Sequence, residues 1–198
     1  MEQPNNKERI ILGIDPGTAV MGYGLLRETG SKIELISLGV VKMENMDDHM
    51  LKLQRIFEKT VALIDNYHPD CLAIEAPFYG KNIQVMLKLG RAQGVAMAAA
   101  LSRNIDITEY SPRKIKQSIT GNGNATKEQV AAMLQNLLKF KEAPEFLDAT
   151  DGLAVAVCHS FQKISTSTGK TSSKKSYSGW ETFVKDNTNR VSGLPKKK

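Results

Sequence analysis

Cysteine is nearly absent, with 2 in 198 residues, and neither Cys71 nor Cys158 stands at a spacing that suits a metal or a redox pair. Zinc modules and disulfide scaffolds are therefore excluded, and both thiols are expected as small core residues of a reduced, cytoplasmic protein. Histidine is scarce too, and His49, His68 and His159 are too scattered to suggest a shared metal. His159 follows Asp151 on an expected helix and reads as a surface residue more readily than as a site residue. No apolar run approaches a membrane span, and the polar stretch Met1 to Asn6 lacks the apolar centre of a signal peptide. A membrane partner is not expected.

Charge is not scarce, and it is unevenly placed. The overall balance of +6 divides into −4 over residues 1–75, +7 over 76–141, −3 over 142–163 and +6 beyond. Two acidic stretches around a basic one suit a polyanion-binding surface beside a cation-binding pocket, although a merely solvated surface has the same composition. The length suits one domain, expected over 9–163, between a disordered N-terminus (1–8) and a basic, mostly flexible tail (164–198) rich in Ser, Thr and Lys.

The chain is organised around Ile10-Ile11-Leu12-Gly13-Ile14-Asp15-Pro16-Gly17-Thr18. Its apolar half reads as a buried strand, and Asp15 ends that strand where Pro16-Gly17 turns the chain. Asp15 is either a turn residue or an acid presented at a strand mouth. Two further strands, around Met21–Leu26 and Ile33–Val41, follow through short turns and predict an antiparallel start. An amphipathic helix over Asp47–Asn66, capped by Asp47 or Asp48, is expected to turn Met50, Leu53, Phe57, Val61 and Ile64 inward.

Cys71 to Glu75 then repeats the design of a short strand ending in a carboxylate. The helical crossover between the two makes them neighbours in one sheet, with both acids at one edge. Ala76 to Asn82 forms a loop in which Phe78 either folds into the core or, beside Lys81, stacks on a splayed base. Ile83–Leu101 reads as a long helix with one side nearly free of bulk, packed on the sheet or on a second subunit. A fifth strand, Ile105–Tyr110, leads to a helix started by Ser111-Pro112 that carries Arg113, Lys114 and Lys116. The turn Gly121–Ala125 and a helix opened by the Thr126/Gln129 capping box offer Lys127 and backbone N–H groups to a phosphate. That helix is expected to turn Val130, Met133, Leu134, Leu137 and Leu138 inward.

Asp148 and Asp151 share one face of a last helix, above Ala149, Leu153, Ala156 and Val157. The pair either complements the helix dipole or awaits a cation. Together with Asp15 and Glu75 they would make four carboxylates, a set that hard divalent ions satisfy best. Two such ions about 4 Å apart activate water and stabilise the leaving oxygen in phosphodiester hydrolysis.

These segments resemble the RuvC family of Holliday-junction resolvases. The likeness rests on Ile11–Thr18 with Gly22-Tyr23-Gly24, Ala73-Ile74-Glu75 with Phe78 and Lys81-Asn82, Leu89–Gly94, Ile115-Lys116-Gln117 and Asp148–Ala154, in that order. The resemblance implies an RNase H-like α/β fold with a mixed five-stranded sheet flanked by helices. It further implies a homodimer that makes paired nicks in four-way junction DNA, beside the branch-migration proteins RuvA and RuvB. Asp15, Glu75, Asp148 and Asp151 match the family's catalytic Mg²⁺ ligands, with Mn²⁺ as a possible substitute. Phe78 matches its stacking aromatic, and Lys116 and Lys127 its basic DNA contacts. Two other readings compete: an actin- or Hsp70-type ATP site, which needs two lobes and a second phosphate loop, and a junction-binding module without activity.

Overall fold

The structure, a computed structural model, describes residues 8–77, 82–140 and 147–168, with the side chains of the last helix through Gln162. Phe78 and Lys81, residues 1–7 and the tail from 169 lie outside the described residues.

Three antiparallel strands come first: β1 (Glu8–Asp15), β2 (Val20–Thr29) and β3 (Lys32–Lys42). Gly30, at φ 62°, makes the tight turn between β2 and β3, where a side chain would be strained. Helix α1 (His49–Tyr67) crosses to β4 (Cys71–Glu75), which pairs parallel to β1. Helix α2 (Ile83–Leu101) crosses to β5 (Asp106–Tyr110), parallel to β4. Three helices complete the fold: α3 (Pro112–Thr120), α4 (Lys127–Leu138) and α5 (Leu147–Thr168). The sheet order is β3-β2-β1-β4-β5, so the two acid-ending strands are central neighbours, as expected.

Strand alternation divides the core. Leu12, Ile14, Leu72 and Ile74 face α1 and α2, whereas Ile11, Cys71 and Ala73 face α3, α4 and α5. Asp15 and Glu75 have the parity of Ile11 and Ala73, which puts both acids on the α5 side.

Local signals act as the sequence indicates. Asp48, not Asp47, caps α1 by accepting from the Met50 N–H at 2.7 Å. Ser111 and Pro112 start α3, and Thr126 and Gln129 form the capping box of α4. The inward stripes differ from expectation. On α1, Ile56, Thr60, Leu63 and Ile64 are buried, while Met50 (58% exposed) and Phe57 are not. Neighbouring helical stripes satisfy the same spacing, and Thr60 disguised the correct one. Its hydroxyl donates to the Ile56 carbonyl at 2.8 Å and so hides a polar group in the core. On α4, Val130, Ala131 and Leu134 are buried and Met133 and Leu137 exposed, because small Ala131 takes the packed position. On α2, Ala92, Ala96, Ala99 and Ala100 are the packed residues, and a side chain at Gly90 or Gly94 would meet open space.

Candidate active site

The site begins with how closely α5 lies on the sheet. A side chain at Gly13 would run into the Gly152 carbonyl and the Ala156 nitrogen, one at Gly22 into the Asp148 carbonyl, and one at Gly24 into Leu153. From the helix side, a Cβ at Gly152 would come within 2.5 Å of the Tyr23 Cα. Four glycines, three on the strands and one on α5, bring backbone against backbone. Since Gly22 pairs with Asp15, the same contacts carry Asp148 and Asp151 to the end of β1.

Glu75 is held from the other side. Ile14 pairs with Ile74 in parallel register, so Asp15 and Glu75 extend adjacent strands one residue further. Buried Gln93 of α2 donates to the Glu75 carbonyl at 3.4 Å and to Glu109 Oε2 at 2.8 Å. The Ala76 N–H donates to the Tyr110 carbonyl at 2.9 Å.

Four acids close together with little water repel one another. Burial, then the charges of Asp151 and Asp148, raises the Asp15 pKa to about 6, with Lys127 acting against them. Burial, then Asp15 and Asp151, raises Glu75 to about 8, opposed by Lys127 and Lys116. Asp151 is also raised, by burial first, against the hydrogen bond and charge of Lys127. Lys127 Nζ lies 3.1 Å from Asp148 Oδ1 and 2.5 Å from Asp151 Oδ2. Burial opposes its charge, but those two carboxylates hold it above the usual lysine range.

A cleft of about 590 Å³ opens here, its wall lined by Asp15, Glu75 and Asp151 together with Arg113, Lys116 and Lys127. Lys114 is exposed on the same helix and outside that wall. Several amides in the turn after α3 are satisfied within the turn and α3. The Gly123 N–H donates to Gln117 Oε1, that of Asn124 to Asn122 Oδ1, and that of Asn122 to Thr120 Oγ1. The Gln129 N–H is taken by Thr126. The cations Arg113, Lys116 and Lys127 remain in the cleft lining.

His159 is a correction. It is buried, with Nδ1 2.9 Å from Tyr110 Oη and Nε2 3.4 Å from Cys71 Sγ, so it ties α5 to β4 and β5 behind the site. A lone histidine in a helical pattern carries no sign of partners 49 and 88 residues away. Neither Cys71 nor Cys158 is in a disulfide, and both are buried, as expected.

Carboxylates without His or Cys ligands fit a hard divalent cation, and the crowding at Asp15 and Glu75 calls for positive charge. Among the described residues, no three His, Cys, Asp or Glu side chains already form a metal cage. The cation standing between two of the acids is the Lys127 ammonium.

The yeast mitochondrial Holliday junction resolvase shares the architecture at TM-score 0.59, with 14% identity over 78% of this chain and 80% of that one. The class is therefore that of RNase H-like folds. A family model described as crossover junction endodeoxyribonuclease RuvC matches residues 11–159. The chain belongs to the RuvC family. RuvC of Christiangramia forsetii is 59% identical over 93% of each chain, and that of Cytophaga hutchinsonii 56% identical over 98% of this chain and 94% of its own. Thermus thermophilus RuvC, solved with a Holliday junction substrate, aligns at TM-score 0.74 and 30% identity, covering 80% of this chain and 96% of that one.

Proposed function

We propose that this crossover junction endodeoxyribonuclease nicks four-way DNA junctions with Asp15, Glu75, Asp148 and Asp151 as ligands of divalent ions, Mg²⁺ in the cell. The observation that carries this reading is the meeting of two strand-end acids with Asp151 in one cleft that also holds Arg113, Lys116 and Lys127, with Asp148 beside it on Lys127. Bound divalent ions would supply water activation and charge stabilisation at the leaving oxygen. The protein's own groups do the rest. Arg113, Lys116 and Lys127 hold the phosphates beside the acids, with Lys114 further out on α3. Phe78 and Lys81 follow Glu75 closely in the sequence, and an aromatic and a cation there suit an opened base.

Symmetric nicking needs two copies, and α2 offers a face for the second. Ile83, Leu87, Gly90, Gly94 and Leu101 fall on one stripe opposite the packed alanines, with Ile83 67% and Leu101 62% exposed. Exposed apolar residues flanking two open glycines suit close approach of the same helix from a partner copy.

The test is cleavage of a synthetic four-way junction and a matched linear duplex, with Mg²⁺ or EDTA. Asp15→Asn, Glu75→Gln, Asp148→Asn and Asp151→Asn should each lower nicking at least about a hundredfold while junction binding persists, the scale expected for groups acting on the transition state. Loss of binding in all four would instead make the acids structural.

A further inference from the structure

Lys127 is the cation common to the surroundings of Asp15, Glu75 and Asp151, and it touches Asp148 and Asp151 directly. It projects from the first residue of α4, where the Thr126/Gln129 capping box anchors the backbone independently of the side chain. The side chain is half-exposed in an open cleft wall, so it has room to leave. An ammonium in contact with both carboxylates and a divalent ion on the same oxygens exclude each other by charge and space.

We propose that Lys127 is the resting occupant of a cation position between Asp148 and Asp151, that an arriving divalent ion displaces it, and that the freed ammonium turns to a DNA phosphate on the same cleft wall. This rests on the metal reading above. In the resting protein the charge of the two helix acids is partly offset from within by the one ammonium, which helps keep α5 seated without metal. The exchange makes metal and DNA assist one another. The ion releases the lysine to the phosphate, and a phosphate that engages the lysine clears the carboxylates for the ion.

The deciding measurement is Mn²⁺ binding in the absence of DNA, by electron paramagnetic resonance, to the full chain and to its Lys127→Ala and Asp15→Asn variants. Removing the competing ammonium should tighten Mn²⁺ binding by about tenfold, the scale of a half-exposed, charge-assisted pair. The same variant should melt lower than the parent without metal, and saturating Mn²⁺ should close most of that gap. Its junction cleavage should fall, so that tighter metal binding accompanies weaker activity. Equal or weaker Mn²⁺ binding by a folded Lys127→Ala protein overturns the exchange. If the parent binds Mn²⁺ and Asp15→Asn does not, that result leaves the metal reading standing. If the parent shows no binding that depends on the acids, both fail.

Discussion

Asp15 and Glu75 bear the strain of the site in their protonation. Glu75 holds a proton up to about pH 8 in the folded chain but releases it near its ordinary 4.5 when unfolded, and Asp15 does so between 3.8 and about 6. Across those windows the folded state binds more protons than the unfolded one, so rising pH removes stability. Without divalent ions, the melting temperature should fall from pH 5 to pH 8. Saturating Mg²⁺ should offset that fall by favouring the charged forms, and Glu75→Gln should abolish its upper part. A melting temperature that stays flat in thermal scans over this range would show that the acids are not crowded. The cost accompanies a composition in which each acid alone is an ordinary strand-end or helix residue. Only their convergence makes them unusual.

At the scale of elements, α5 is decisive because its approach to β1 and β2 sets where two acids arrive. Gly152→Ala would place a methyl against the Tyr23 backbone and the Gly22 carbonyl carbon, where no side-chain rotation relieves it. Overpacking of this kind costs roughly 1–3 kcal/mol or more, measured by urea denaturation. Cleavage should fall further than the folded fraction does, since a lifted helix withdraws Asp148 and Asp151. Proportional loss of fold and activity would mean that the spacing tolerates drift. The helix starts, by contrast, are local affairs: Asp48, Ser111-Pro112 and Thr126/Gln129 were legible because a cap acts within three or four residues. Which stripe of α1 or α4 turns inward was not legible, because the sheet and neighbouring helices choose among adjacent stripes.

For the whole molecule, the cations of the cleft and the exposed apolar face of α2 are the surfaces at which DNA and a second copy are proposed to meet it. Lys116→Ala should weaken junction binding about equally for different sequences and reduce the salt slope by about one, as loss of one phosphate contact does. An unchanged slope would remove Lys116 from the interface. Leu87→Glu, placed in the exposed stripe, should turn a dimer into a monomer in sedimentation while leaving the melting temperature of the subunit nearly unaltered. A dimer that survives this charge would put the interface elsewhere. No described helix is long and apolar enough to cross a membrane.

By itself, the sequence determined the order and type of the elements, the two strands that end in acids, the pairing of Asp148 with Asp151 and the basic stretch between. These follow from period, turn chemistry and composition, all of which act over a few residues. Tertiary structure alone decided that four glycines let α5 settle on the strands, that His159 closes a buried link from Tyr110 to Cys71, and that Lys127 reaches 21 and 24 residues onward to stand between two acids. Those contacts join distant parts of the chain, and no local pattern records which backbone a missing side chain makes room for.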